Sequence, residues 1–174
     1  MAWNGTTFVA TVGSGVVYTS PDCVTWTPRT VTGAGTIFRD VTWSTTLSLF
    51  LMSTSSAEIV TSPDGITWSV RVAPISVGPL ACNSTVCVGL GNATSTYSTD
   101  AVTWNSGSVV VGNYASNNVC GSGAAPTRMQ WTGTQFVAVR VQGANGGVVS
   151  SDGITWTGIT LPNATTYCGL EFRP

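Results

Sequence analysis

The sequence predicts an all-β fold assembled from four similar units, and three observations predict it. Its 174 residues lean to Val, Thr, Ser and Gly with seven Trp, which suits short strands and tight turns, and no segment carries a sustained helical period. One heptapeptide pattern, Ser-x-Asp-x-Val/Ile-Thr-Trp or its close variants, occurs four times, at Ser20–Trp26, Ser62–Trp68, Ser98–Trp104 and Ser150–Trp156. Its tryptophans, Trp26, Trp68, Trp104 and Trp156, are 42, 36 and 52 positions apart, a period that fits a unit of four short strands and not an ankyrin or leucine-rich unit.

A second marker precedes each heptapeptide. Trp3-Asn4-Gly5, Trp43-Ser44-Thr45, Cys82-Asn83-Ser84 and Trp131-Thr132-Gly133 lie 19, 21, 18 and 21 residues before Asp22, Asp64, Asp100 and Asp152, so each unit holds at least two hairpins. In the second unit, β-rich stretches bounded by turn residues predict strands near 38–43, 47–52, 57–61 and 66–71. Four strands per unit and four units predict a small β-propeller of four antiparallel blades, one domain over 1–174 with units at about 3–37, 38–77, 78–125 and 126–174. Such a chain is long enough to bury about two thirds of the surface its unfolded form exposes.

The heptapeptide has a mechanism. Ser62 at i, Pro63 presetting φ at i+1, Asp64 at i+2 and Gly65 at i+3 match a type I turn, with the Asp carboxylate accepting nearby backbone N–H groups. Each following Trp buries about 150–250 Å², worth roughly 4–6 kcal/mol as an upper bound, and so anchors a blade to its neighbour. Met1 and Ala2 leave no room for the strand that precedes Trp43 in the second unit. The first blade is therefore expected to lack a strand, which the C-terminus supplies through Leu170 and Phe172, closing the ring and removing an open edge.

Five cysteines need accounting. Cys82 and Cys87 stand where other units have Trp3 with Phe8 and Trp131 with Phe136; across a hairpin they are either a disulfide or two small buried apolar side chains. Cys23 replaces the turn glycine, and Cys120 with Cys168 is a second candidate bridge. With no CxxC pair and no His, no metal site and no cofactor are expected.

Charge excludes more than it suggests. Six Arg, no Lys and no His give no basic face for nucleic acid, and no apolar run reaches the roughly 18 residues that would span a bilayer. No charged n-region with an apolar h-region opens the chain, so a soluble protein is expected. Scarce charge suits a subunit held in an assembly, including a homo-oligomer.

Catalysis finds few candidates. With Asp22, Asp64, Asp100 and Asp152 used in turns, only Asp40, Glu58 and Glu171 remain for an acid and base pair, and Arg39, Arg128 and Arg140 show no triad spacing. Without His or Lys, no Ser-His-Asp, Cys-His or Schiff-base arrangement exists. One carboxylate per turn cannot assemble a calcium site of six or more oxygens. A non-enzymatic role is expected, with the longest departure from the repeat, between Trp104 and Trp131, as the binding region: Tyr114, Asn117, Asn118 and Arg128 are its ligand candidates, an aromatic face with amide partners suited to sugars. Sequons at Asn4, Asn83, Asn92 and Asn163 are expected by accident in a chain so rich in Ser and Thr.

The four heptapeptides resemble the Asp-box of BNR-type repeats, found in sialidases and in photosystem assembly-factor-like propellers, and the resemblance covers essentially the whole chain. The phrases Trp3–Ala10 and Trp131–Ala138 also resemble repeats in tail and fibre proteins of tailed phages. Together they imply a virion or cell-surface propeller that contacts other surface proteins or glycans; the alternatives they imply are a sialidase-like glycoside hydrolase and an assembly factor.

Overall fold

A computed structural model describes residues 1–12, 15–35, 37–113, 128–139 and 146–160. Among the described residues fifteen strands form four antiparallel sheets, the blades of a β-propeller. Blade 1 holds β1 (Ala2–Trp3), β2 (Phe8–Thr11), β3 (Val16–Ser20) and β4 (Thr27–Thr30). Blade 2 holds β5 (Phe38–Ser44), β6 (Leu49–Thr54), β7 (Glu58–Ser62) and β8 (Ser69–Val72). Blade 3 holds β9 (Val77–Cys82), β10 (Cys87–Ser98) and β11 (Asn105–Asn113), and blade 4 holds β12 (Arg128–Trp131), β13 (Phe136–Val139), β14 (Gly146–Ser150) and β15 (Thr157–Thr160).

Four details differ from the sequence expectation. The first blade does not lack a strand: Ala2 and Trp3 pair with Val9 and Phe8, so a two-residue strand takes the innermost place. The expected C-terminal contribution of Leu170 and Phe172 lies outside the described residues. In blade 2 the second strand starts at Leu49, because Ser44 Oγ accepts the Leu47 N–H and holds 45–48 in a turn. The fourth starts at Ser69 and not at 66, because Asp64 Oδ1 accepts the N–H groups of Ile66 and Thr67, both at 2.8 Å, and keeps them out of the ladder. In blade 3 the second and third strands run on without a gap as the twelve residues of β10. Its first half pairs with β9 and its second with β11, with register shifts and Ala93 at φ 65° between them.

The four heptapeptide turns share one hydrogen-bond pattern. In each, the Asp Oδ1 accepts two backbone N–H groups and the hydroxyl of the leading Ser. The residue after the Asp is left-handed throughout: Cys23 at φ 61°, Gly65 at 76°, Ala101 at 57° and Gly153 at 74°. At Gly65, Ala101 and Gly153 its N–H donates to the Ser Oγ, so a side chain closes the turn. These bonds hold the carboxyls below their ordinary range. The bond from Thr103 N is the largest cause at Asp100, which falls to about 2, and those from Thr25 N and Thr155 N lead at Asp22 and Asp152. At Asp64 partial burial acts upward and is outweighed by the bonds from Thr67 N and Ile66 N.

Near the other hairpin of each blade sits a cross-strand pair. Trp3 stacks on Phe8 with ring centroids 4.0 Å apart, and Trp43–Phe50 and Trp131–Phe136 meet at 4.7 Å. In blade 3 the paired positions are Cys82 and Cys87, joined by a disulfide with their Cα atoms 4.0 Å apart. The core is not central but divided among the seams. One cluster joins Val9 and Val17 of blade 1 to Phe50 and Val60 of blade 2, a second Leu51 and Ile59 of blade 2 to Ala101 and Trp104 of blade 3, and a third Val86 and Val88 of blade 3 to Phe136 and Trp156 of blade 4.

Asp64→Ala removes the acceptor of two backbone N–H groups and should cost about 1–3 kcal/mol, a melting temperature lower by roughly 2–4 °C per kcal/mol in thermal melts. Because the turn carboxyls titrate lower when folded than when unfolded, their contribution is complete above pH ~4 and should drain away as pH falls towards about 2, a decline that melts between pH 5 and pH 2 will register. Reducing the Cys82–Cys87 bond should cost about 2 kcal/mol by loop-closure entropy. The double variant Cys82→Trp/Cys87→Phe, which restores the pair of the other blades, should melt at the same temperature with and without reductant.

Candidate functional site

The innermost strands β1, β5, β9 and β12 lie side by side around the propeller axis. Since the first and third hairpins of each blade turn at one end, the starts of β5, β9 and β12 gather at the other. Beside the buried Phe38 and Val77, three charged side chains stand there: Arg39, Asp40 and Arg128. A register shift between Phe38 and Asp40 re-aims β5, and Asp40 becomes the meeting point of three blades. Its Oδ2 accepts the N–H of Leu80 in β9 at 2.9 Å, its Oδ1 accepts Val41 N at 2.9 Å, and Arg128 Nη1 from β12 stands 3.9 Å from Oδ1. Ser53 Oγ of β6 accepts the Asp40 N–H and donates to the Gly78 carbonyl, tying blade 2 to blade 3 a second time.

Arg39 runs beside this cluster. Its Nη1 donates to Ser76 Oγ at 3.0 Å and to the Val77 carbonyl at 3.2 Å, while Ser76 Oγ donates to Ser55 O. Among the described residues no carboxylate lies within ion-pair distance of Arg39, and its Nε is buried without a hydrogen-bond partner. Burial lowers its pKa from the ordinary value. Asp40 is displaced upward, first by burial, against the opposing hydrogen bond from Leu80 N and the positive charges of the amino terminus and Arg128. The Arg128 side chain is 52 % exposed against 18 % for Asp40, so the guanidinium caps the carboxylate and faces solvent.

The other residues named from the sequence fall into place as follows. Asp22, Asp64, Asp100 and Asp152 are closed into the turns, at the end away from Asp40. Glu58 Oε2 accepts Gly35 N at 2.8 Å, holding the connection into blade 2. Trp104 and Trp156 are buried and Trp26 and Trp68 half-buried; the indole N–H of the latter two donates to the carbonyls of Cys23 and Gly65. Tyr114, Asn117, Asn118, Cys120, Arg140, Cys168 and Glu171 lie outside the described residues. Sequence reasoning missed Asp40 as the junction, although Asp40 was one of three carboxylates the repeat left over. At the turn end, a shallow cleft of about 20 Å³ opens between Thr46 and Leu47 of blade 2 and Asn83, Thr85 and Thr99 of blade 3. Among the described residues no three His, Cys, Asp or Glu side chains gather as metal ligands.

No protein-family model matches the sequence, and no curated protein matches it. Solved structures do. The chain is similar to virginiamycin B lyase from Staphylococcus aureus in its structure with quinupristin, at 10 % identity over 86 % of this chain and 50 % of that one, with a TM-score of 0.65. It is similar to YCF48 bound to a D1 peptide, at 11 % identity over 91 % and 51 %, TM-score 0.55, and to a chain of a nidogen/laminin complex, at 11 % identity over 95 % and 64 %, TM-score 0.64. The chain thus spans half to two thirds of the length of these propeller chains, and the likeness is one of fold.

Asp40→Asn keeps the shape but leaves one of Leu80 N and Val41 N without its acceptor, so the variant should be less stable by about 1–3 kcal/mol. A carboxyl whose pKa is raised by folding loses its stabilising share as pH climbs through and above the ordinary carboxylate value near 4. The gap in melting temperature between the parent and Asp40→Asn should therefore be widest near pH 4 and narrow towards pH 7.

Proposed function

We propose that this chain is a non-catalytic binding propeller that presents Arg128 and Arg39, at the starts of the inner strands, to an acidic segment of a partner protein. The observation that carries the reading is the guanidinium balance at that end: Arg128 is half exposed over a carboxylate already engaged by two backbone N–H groups, and Arg39 has no carboxylate partner among the described residues. A carboxylate from outside completes what Asp40 only partly supplies. The described carboxylates support the same reading, since each is committed to a turn, a connection or the blade junction. Among the similar folds, YCF48 is seen with a peptide and a nidogen/laminin pair forms a complex, which supports a polypeptide partner. The lyase is inactive in a variant that replaces a histidine, and this chain contains none.

The four turns are read as Asp-box repeats, here serving as scaffold at the opposite end. The Cys82–Cys87 disulfide favours an oxidising compartment or particle surface, and with the phage-like phrasing of Trp3–Ala10 and Trp131–Ala138 it supports a place on a virion tail or fibre, or on a cell surface. A glycan partner belongs to the same reading through Tyr114, Asn117 and Asn118.

The test is binding of the purified chain to acidic peptides and to a glycan array at two salt concentrations. Peptide binding should weaken as salt rises and fall about tenfold or more in Arg128→Glu. Peptide binding indifferent to both, or binding confined to neutral glycans, would sink the acidic-partner reading.

A further inference from the structure

Each of the three internal seams is made the same way: the left-handed residue of a heptapeptide turn enters the face of the preceding blade. A Cβ added at Gly65 of blade 2 would stand 2.7 Å from Val9 Cγ2 of blade 1, and one added at Gly153 of blade 4 would stand 2.4 Å from Val88 Cγ2 of blade 3. Ala101 of blade 3, which does carry a Cβ, is fully buried in a cluster with Leu51 and Ile59 of blade 2. The receiving residues Val9, Leu51 and Val88 each follow the second member of a cross-strand pair, and each is 0 % exposed.

Blades 4 and 1 carry the two halves of a fourth seam, and within one chain these halves do not cover each other among the described residues. On blade 4, Val137 occupies the receiving position, and it and its cross-strand partner Val149 are only half-buried. On blade 1, the entering residue Cys23 is exposed, and Phe8, Tyr18 and Trp26 are half-buried. Their counterparts are not: Phe50 and Phe136 match Phe8, and Val60 and Val148 match Tyr18, all fully or almost fully buried. Trp3 is 41 % exposed, and neither it nor Trp26 belongs to any of the three core clusters.

We propose that the blade 1 face docks on the blade 4 face of a second copy of this chain, head to tail across a two-fold axis, so that two copies close both seams at once. The internal seams supply the template: an aromatic pair and a turn Trp on one side, an aliphatic residue after the cross-strand pair on the other. Two observations select a second copy as occupant. Among the described residues neither face is covered by the other within the chain that carries them, and each has the form of one side of an internal seam. A self-complementary pair of faces with no charged residue at its centre also fits a protein with only thirteen charged residues in 174.

The contact can be trapped. With Cys120 and Cys168 replaced by Ser, Val137→Cys places a thiol where Cys23 enters, at the range across which disulfides form. Under oxidising conditions the expected product is a covalent dimer that reductant dissolves and that Cys23→Ser abolishes. The unmodified chain at micromolar concentration should show twice the chain mass by light scattering. Cys23→Arg, at a position exposed within the chain, should halve that mass while the circular dichroism and the cooperative melt are kept. A bond formed inside a single chain would overturn the proposal in favour of a ring closed by one copy. A ladder of higher species would replace the two-fold ring with an open filament, and a monomeric native mass for the unmodified chain would remove the interface altogether.

Discussion

The fold depends on one local contact repeated along the chain: a turn whose fourth residue is forced left-handed so that it can press into the neighbouring blade. The Asp carboxylate makes this conformation persist by holding two N–H groups that would otherwise extend the next strand. The leading Ser closes the loop from the other side. Because the carboxylate is bonded to backbone, each turn carries its negative charge without a cation, which is how a chain with six Arg and no Lys sustains four of them. Once the turn is rigid, its Trp and its left-handed residue arrive together at the adjacent face, and the apolar clusters form at the seams and not within single sheets.

What could be read from the sequence was what repeats locally. The Ser, Asp and Trp of each turn act within seven residues, so their spacing reports their geometry, and the substitution of Cys82 and Cys87 for an aromatic pair is visible by alignment of the units. The short first strand was missed because two residues give no period, and only pairing with Val9 and Phe8 makes Ala2–Trp3 a strand. Strand β10 escaped because its bend falls at Ala93, φ 65°, a residue type that gives no turn signal of its own. The Asp40 junction was the least legible. Its partners Leu80 and Arg128 are 40 and 88 positions away, and a register shift in β5 decides where its side chain goes.

The two ends of the propeller therefore differ in kind. At the turn end every carboxylate is satisfied by backbone a few residues away, so that end is rigid and electrically self-contained. At the opposite end charge is shared between blades, through a carboxylate that burial disfavours, the Arg128 guanidinium beside it, and Arg39, which bonds to Ser76 and Val77. Such a cluster costs stability relative to an apolar plug of the same size.

The direction of the seams has a consequence for synthesis. Each internal turn enters the blade made just before it, so on the ribosome every new blade meets a finished surface against which to fold, and the chain templates itself from its amino end onward. Long-range contacts are thereby converted into contacts between immediate neighbours, which keeps the search short for an all-β protein. Of these four blades, blade 1 alone has no earlier one among them to receive its turn.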